Sequence, residues 1–330
     1  MKERNVTIDI MKGIGIILMV VGHSGYPSFL RNFIYTFHMP LFFMISGYLI
    51  TESKLNVIKK IKTLYWPFLF WSLFALALSY PLYISGIYNS PYNIHEYIIH
   101  LVKIITFTQP EPIVGPLWFL KSLFFSYIFV SIVISKSKGN KYQHYIIGLI
   151  CFAMLCIGFI LYKNRGWMIY NVQRELMIPW FIYLGYFIKT RFREKSLSFF
   201  YIVLFTIFLA VAGQYVTIKL IVSEIGNPII VSIYSLIGFI IIYNISSNIQ
   251  HVNYKFSRIL AYIGRNTMPI LILHVVCFKV VQIALSNLNY LNLGGINQID
   301  LYYSPYWFLY SIIGIAMPLL LNFKTFKHIA

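Results

Sequence analysis

Two histidines, His23 and His38, stand in a stretch that is otherwise almost wholly apolar, GIGIILMVVGHSGYPSFLRNFIYTFHMPLFFMISGYLI at residues 13–50. A neutral imidazole can remove a proton from a hydroxyl group near pH 7, and burial in an apolar region favours the neutral ring. Lys12 precedes His23 by close to three helical turns, which places both on one helix face about 16 Å apart. The spacing therefore predicts a cation at one end of a site and a base at the other.

His38 lies as far beyond the turn after the first helix as His23 lies before it, so a helical hairpin brings both to a similar depth. Pro40 removes a helical hydrogen bond and frees the carbonyl of Thr36, which predicts a kink beside His38. A single buried imidazole is better explained as a ring satisfied by a backbone carbonyl or a serine. A facing pair keeps a catalytic site and this structural explanation both open.

The composition identifies the kind of chain that carries these residues. Hydrophobic residues make up 59% and charged residues only 11%, against about 25% charged in soluble domains, and the mean hydropathy is +0.72. Apolar runs of about 20 residues, long enough to cross about 30 Å of hydrocarbon, recur along the chain. The sequence predicts an all-α, polytopic membrane protein.

The ten predicted spans cover residues 8–28, 32–51, 64–85, 115–135, 145–162, 176–190, 198–222, 228–246, 268–285 and 305–322. A weaker amphipathic segment at 96–107 fits an interfacial or a re-entrant helix.

The positive charge indicates orientation rather than nucleic-acid binding. The chain has 27 Lys and Arg against 9 Asp and Glu, a net charge of +18, and most of these cations fall in alternate loops. The positive-inside rule then predicts that both termini are cytoplasmic and that the excess charge faces anionic lipid. We expect one membrane domain over residues 1–330 with a retained first helix and no appended soluble domain. The three cysteines lack metal-ligand spacing, so no metal is expected.

Other ionisable residues in or near the spans are candidates because charge in lipid is costly. Lys121 must find a partner or a water-filled cavity. Arg174 and Glu175, at the outer end of the sixth span, fit either an acceptor-binding pair or, as the preferred interpretation, an interfacial pair that snorkels. Asp9 is expected to hold Lys12 three residues later.

The stretches RNVTIDIMKGIGIILMVVGH and FHMPLFFMISGYLI resemble the acyltransferase-3 family of multi-pass bacterial membrane proteins, especially its fucose 4-O-acetylase-type group. The residues that carry the resemblance are Arg4, Asp9, Lys12, Gly13, Gly22, His23 and the segment 40–47. Further similarity runs through residues 115–124, 178–188 and 264–274. The resemblance implies transfer of an acyl group, usually acetyl, from cytoplasmic acyl-CoA to a hydroxyl of a surface polysaccharide or its lipid-linked precursor. It also implies the bacterial cytoplasmic membrane as the location and His23 as the principal catalytic residue.

Many members of that family carry arginines where this chain has Lys12, Lys60 and Lys62, so positive charge is kept while bidentate phosphate recognition is lost. We expect these lysines to bind the phosphates of acyl-CoA, with acetyl-CoA as the first candidate donor and no permanently bound cofactor. His38 is expected to orient His23, to relay the proton or to bind the acceptor, and a covalent acyl-histidine stays open. Possible acceptor-binding or supporting residues are Arg4, Asp9, Lys121, Arg174, Glu175 and His274, the last through the family resemblance.

A transporter or flippase for a glycan or glycolipid is the competing class, because ten spans with intramembrane charges suit it as well. Transporters often contain paired repeats with broken helices in corresponding positions, and the sequence shows no such symmetry. A structural scaffold would leave His23, His38, Lys12 and Lys121 without a purpose.

Overall fold

The computed structural model describes residues 5–51, 56–165, 171–191, 197–216, 218–252, 254–288 and 304–321. Within these ranges the regular structure is helical, apart from an isolated bridge between Lys219 and Glu224. The helices in chain order are α1 Val6–His23, α2 Ser28–Tyr35, α3 His38–Tyr48, α4 Val57–Lys60, α5 Trp66–Ala77, α6 Ser79–Ile84, α7 Ile94–Ile105, α8 Trp118–Ser137, α9 Gln143–Arg165, α10 Val172–Arg191, α11 Phe199–Ala212, α12 Pro228–Val252, α13 Tyr254–Arg265, α14 Thr267–Asn287 and α15 Trp307–Leu320. A π-helix, Ile61–Tyr65, precedes α5, and 3₁₀ helices cover Pro112–Leu117 and Leu220–Val222.

Among the described residues, five helical segments are long and apolar enough to cross a membrane. They are Val6–His23, Pro112–Ser137, Gln143–Asn164, Pro228–Val252 and Thr267–Asn287, and shorter apolar helices cover Phe199–Ala212 and Trp307–Leu320. The predicted all-α class is therefore confirmed for the described residues, and their long apolar helices are consistent with the predicted membrane protein. The number of ten spans and the cytoplasmic position of both termini stay predictions.

The chain forms two compact units. The first comprises Met1–Met19, Ser28–Val57 and Ser122–Arg265, and the second comprises Val20–Pro27, Ile58–Lys121 and Asn266–Ala330. The first unit thus contains most of α1 with α2, α3 and α9 to α13. The second contains the end of α1, the helices α5 to α7, and α14 with α15.

Glycines set the helix spacing in the first unit. A Cβ added at Gly47 of α3 would overlap the carbonyl oxygen of Ile182 on α10, and one at Gly185 would overlap the carbonyl oxygen of Met44. The two helices therefore approach each other through reciprocal glycines, as small residues commonly allow in membrane proteins. Gly13 of α1 is likewise in contact with the carbonyl of Leu260 on α13.

In the second unit, α7 runs antiparallel to α5. It begins with a capping box in which Asn93 and Glu96 each accept a hydrogen bond from the other's backbone N–H at 2.9 Å. At its other end, the Tyr65 hydroxyl donates to the carbonyl of Ile105 at 3.1 Å, and Phe107 packs edge-on against Tyr65. Since α5 belongs to a predicted span, the return of α7 along it favours the re-entrant interpretation of this segment.

Three predicted spans are not continuous helices. The span 32–51 is divided between α2 and α3, with the break before His38 rather than at Pro40, which sits in the first turn of α3 where its missing N–H is tolerated. The span 64–85 is interrupted at Leu78, between α5 and α6. In the span 198–222, α11 ends at Ala212. An apolar run reports burial in lipid or protein, but it does not report where the backbone turns.

A further helix, α13, falls in a segment that the sequence analysis treated as a basic loop. Its buried residues include Leu260, Ala261 and Ile263, while Lys255 and Arg258 are exposed. The helix is amphipathic, so its charged face lowered the mean hydropathy that was used to find the spans.

We expect Gly185→Ala to lower the free energy of unfolding by about 3 kcal/mol, because the added methyl group forces α3 and α10 apart. Thermal unfolding of the detergent-solubilised protein measures this change. Gly115→Ala is the matched control, since an added Cβ there meets no atom within 4 Å. Equal melting temperatures for both variants would contradict the proposed close approach of the helices.

Candidate active site

His23 is the last residue of α1, and the chain around it explains why the helix stops there. Gly25 has a φ of 78°, the left-handed conformation that commonly terminates helices, and Pro27 cannot continue one. The backbone N–H of Ser304 donates to the carbonyl of Gly25 at 2.6 Å. The Tyr26 and Trp307 rings lie 6.3 Å apart. These contacts attach the end of α1 to the start of α15 and hold His23 in position.

His23 lies against His274 of α14. The two ring centroids are 5.6 Å apart with an interplanar angle of 43°, and both residues belong to the second unit. His274 is fully buried, whereas His23 is half-buried. The structure thus brings together the histidine that the motif singled out and one that the sequence analysis ranked only as a supporting residue.

The hydrogen bonds of His274 define its protonation pattern. Its Nδ1 lies 2.9 Å from the carbonyl oxygen of Ile270 and 3.1 Å from that of Leu271. A carbonyl oxygen can only accept, so Nδ1 carries a hydrogen and the lone pair of the neutral ring lies on Nε2. The ring also packs edge-on against Phe278 at 5.7 Å. His274 is therefore held as a ring whose basic nitrogen is Nε2.

His38 has a similar arrangement in the first unit. It is 3% exposed, its Nδ1 lies 3.0 Å from the carbonyl oxygen of Ile34, and its ring is 4.9 Å from that of Tyr35. The Nδ1–H group therefore donates across the break between α2 and α3, and Nε2 is again the basic nitrogen. The predicted pairing of His38 with His23 stays a prediction.

Of the charged motif residues near the start of the chain, the structure describes Asp9 and Lys12. Arg4 lies outside the described residues. Asp9 is 4% exposed in the first turn of α1, where a carboxylate compensates the helix dipole, and Lys12 is half-buried one turn later. The neighbouring Gly13 lets α13 approach α1 closely, so the Lys12–Gly13 pair of the motif combines a charge with a packing position.

Lys60 and Lys62 lie at the junction between α4 and the π-helix. Lys60 is half-buried, whereas Lys62 is exposed, as expected for helical residues two positions apart, which do not face each other. Short π-helical segments occur frequently at functional sites. Lys60 is consequently the better-placed candidate of the two for binding a partly enclosed anion.

The remaining predicted charges are buried and bound. Lys121 is 4% exposed, and its Nζ donates to the carbonyl of Thr108 at 3.3 Å. Arg174 is 2% exposed and donates both to the carbonyl of Ile221 and to Glu175, each at 3.0 Å. The Glu175 carboxylate also accepts from a serine hydroxyl of α8 at 3.0 Å. Arg174 is therefore buried in protein and paired with Glu175, and both the acceptor-binding and the interfacial interpretation of the pair stay predictions.

Sequence reasoning missed Lys279, which is 2% exposed on α14 and donates to Gln282 at 3.0 Å. The sequence does indicate this residue, because Lys279 interrupts the apolar run 268–285 just as Lys121 interrupts another.

For metal binding, the part of the chain that the structure describes has no group of three or more His, Cys, Asp or Glu side chains that could hold an ion.

The chain belongs to an acyltransferase family. The family described as "Acyltransferase domain" matches residues 5–323, which confirms the resemblance seen in the first fifty residues. The matched residues include His23 and His274 as well as Lys12, Lys60 and Lys62.

Two curated relatives are both called nodulation protein NolL. The protein from Mesorhizobium japonicum is 26% identical over 204 residues, a match that covers 50% of this chain and 50% of the relative. The protein from Sinorhizobium fredii is 43% identical over 65 residues, covering 16% of this chain and 18% of the relative. The chain thus spans at most about half the length of these relatives. No solved structure matches the chain.

Proposed function

We propose that this protein is a membrane O-acyltransferase. It moves an acyl group, with acetyl as the first candidate, from cytoplasmic acyl-CoA to a hydroxyl of a surface polysaccharide or of its lipid-linked precursor. The observation that carries the proposal is the contact between His23 and His274 inside a membrane protein of an acyltransferase family. Acyl transfer to an alcohol needs a neutral base in a place that limits water, and a half-buried imidazole meets that need.

In the proposed reaction, His23 accepts the proton of the acceptor hydroxyl as the oxygen attacks the thioester carbonyl. The bond between that carbon and sulfur then breaks, and the coenzyme A thiolate takes the proton from the His23 imidazolium. Direct transfer balances without a covalent enzyme intermediate. General-base catalysis of this kind contributes roughly 10²–10⁴-fold.

His274 acts on His23 as a positioning residue. Its Nδ1–H is committed to the carbonyls of its own helix, so the neutral ring presents its lone pair through Nε2. A neutral, lone-pair-bearing ring beside His23 favours the imidazolium that forms when His23 accepts a proton, as a carboxylate does in hydrolytic triads. The charge then develops next to a fixed dipole rather than in apolar surroundings.

In this proposal, the lysines bind the phosphates of the acyl-CoA donor. Coenzyme A carries several phosphates, and Lys12, Lys60 and Lys62 lie at predicted cytoplasmic helix ends. A lysine binds phosphate as a point charge, and the half-buried Lys60 has fewer competing water molecules than an exposed residue. The pantetheine arm then extends toward His23 over a length similar to the spacing between Lys12 and His23.

We expect His23→Ala to lower acyl transfer at least about 100-fold, because the variant has no base to accept the hydroxyl proton. The measurement follows radiolabelled acetyl from acetyl-CoA onto glycan in purified membranes at equal protein abundance. His251→Ala is the matched control, since His251 is exposed at the end of α12.

Full glycan labelling by the His23→Ala membranes would remove the proposed base. Glycan translocation by the wild-type protein without any label on the glycan would instead favour the transporter alternative.

His274→Phe keeps a ring beside His23 and removes the Nε2 lone pair. We expect the turnover number to fall about 10- to 100-fold, within the range of one lost electrostatic contact to a developing charge, while the KM for acyl-CoA is unchanged. His274→Gln, which retains a polar acceptor, should recover part of the rate. An altered KM with an unaltered turnover number would assign His274 to donor binding.

The double change Lys60→Ala and Lys62→Ala should raise the acyl-CoA concentration for half-maximal rate about tenfold, the effect of losing ~1.4 kcal/mol of attraction for phosphate. Lys136→Ala with Lys138→Ala is a matched control, because these lysines have the same spacing and are exposed in another predicted cytoplasmic loop. If both double variants require the same acyl-CoA concentration as wild type, the phosphate-binding role is wrong.

A further inference from the structure

Glu111 is a buried carboxylate that neither the sequence analysis nor the proposed reaction uses. It has no exposed surface and lies directly before the 3₁₀ helix Pro112–Leu117. One carboxylate oxygen, Oε1, accepts from the hydroxyls of Tyr88 and Tyr92 at 3.0 and 2.8 Å. The other, Oε2, is 2.8 Å from Nδ1 of His100. Three donors thus compensate the cost of burying the negative charge.

The donors of these bonds carry rings that lie in a row. The Tyr88 and Tyr92 centroids are 5.6 Å apart, and the Tyr92 ring stacks on the His100 ring at 4.5 Å with an interplanar angle of 29°. All three residues remain partly exposed, with 23% of the His100 side chain accessible. We name these three residues the aromatic platform. All of them, and Glu111, belong to the second unit.

The orientation of the tyrosines distinguishes the platform from ordinary interfacial aromatic residues. Tyrosine at a membrane surface places its hydroxyl among headgroups and water, whereas both hydroxyls here are turned toward a fully buried carboxylate. Burial, together with the negative charge of Glu111, raises the pKa of Tyr88 and of Tyr92, so both stay protonated donors. The surface that they offer is consequently ring and backbone rather than hydroxyl.

Short exposed polar side chains lie in the same segment of the chain as this surface. Asn89, Ser90 and Asn93 are exposed in the same segment as the two tyrosines. A sugar presents C–H faces, which pack on aromatic rings, and hydroxyl groups, which bond to amides and hydroxyls. The segment lies between the third and fourth predicted spans, on the predicted outer side, where a polysaccharide or lipid-linked glycan is available.

We infer that the aromatic platform binds the carbohydrate acceptor through the exposed parts of the Tyr88, Tyr92 and His100 rings, and that Glu111 is the positioning residue that holds these rings. This inference rests on the proposed function, since it assigns a site to the acceptor of that reaction. The Glu111 carboxylate bonds to all three platform residues, so the role assigned to it is to fix their rings.

Saturation-transfer difference NMR tests the inference on the detergent-solubilised full chain without acyl-CoA. The probes are methyl glycosides of common hexoses, deoxyhexoses and N-acetylhexosamines at millimolar concentration. We expect saturation of the C–H protons of at least one glycoside by the wild-type protein. Tyr92→Leu should reduce that signal at least about fivefold, because it removes the central ring. Tyr92→Phe should keep most of it, because it retains the ring.

Glu111→Gln should give an intermediate reduction, since an amide still accepts from the tyrosines but replaces the charged partner of His100. Tyr80→Leu is the matched control, because Tyr80 is a 62% exposed tyrosine of α6 outside the platform. The melting temperature of every variant in the same detergent identifies any that fails to fold, and Glu111→Gln tests the platform even if Tyr92→Leu unfolds.

Two results would overturn the inference: wild-type protein that saturates no glycoside in the panel, or equal saturation by wild type and folded Tyr92→Leu. Normal acyl transfer together with either result refutes the platform and leaves the proposed function intact. Glycoside binding that depends on Tyr92 in a protein that transfers no acyl group refutes the acyltransferase proposal and leaves the carbohydrate site intact.

Discussion

Hydrogen bonds from imidazole N–H groups to helix carbonyls determine what the buried histidines can do. His274 donates through Nδ1 to Ile270 and Leu271, and His38 donates through Nδ1 to Ile34. In an apolar interior an unsatisfied donor costs about 1–3 kcal/mol, so these bonds are retained and the neutral tautomer is fixed. The basic nitrogen of each ring is then Nε2. A proton-accepting site inside a membrane protein depends on this constraint, because a ring with the opposite tautomer would direct its N–H at the substrate.

Two buried cations donate to carbonyls of irregular backbone. Lys121 donates to the carbonyl of Thr108 after α7, and Arg174, which also pairs with Glu175, donates to the carbonyl of Ile221 in a 3₁₀ turn. Non-helical backbone at membrane depth is tolerated where the protein supplies partners for it. This accounts structurally for Lys121 and Arg174, which the sequence analysis treated as candidates for acceptor binding. His274 is likewise bonded to backbone carbonyls through Nδ1, and its ring contact with His23 is the basis of the proposed catalytic role.

Hydropathy predicted where the long helices lie, because an apolar run of about 20 residues has few alternatives. It did not predict the break before His38, the interruption at Leu78 or the amphipathic α13, since those depend on local backbone geometry and on which face is buried. The motif around His23 singled out a residue whose ring lies against that of His274. Its contact with His274 could not be derived, because the two residues are separated by most of the chain and spacing alone favoured His38. The carboxylate of Glu111 was missed because it follows a polar loop. A charged residue is expected in such a loop, so its presence there does not indicate a buried site.

The proposed reaction joins two substrates that are both excluded from hydrocarbon. Coenzyme A is a polyanion and a glycan is densely hydroxylated, so the reacting atoms have to meet at a polar site within the protein. Non-helical backbone with polar side chains can line such a site where the protein supplies partners for it. In the proposed function, the donor site at half-buried Lys60 adjoins a π-helix, and the acceptor site held by Glu111 adjoins a 3₁₀ helix. The departures from regular α-helix are therefore the positions at which the proposal places both substrates.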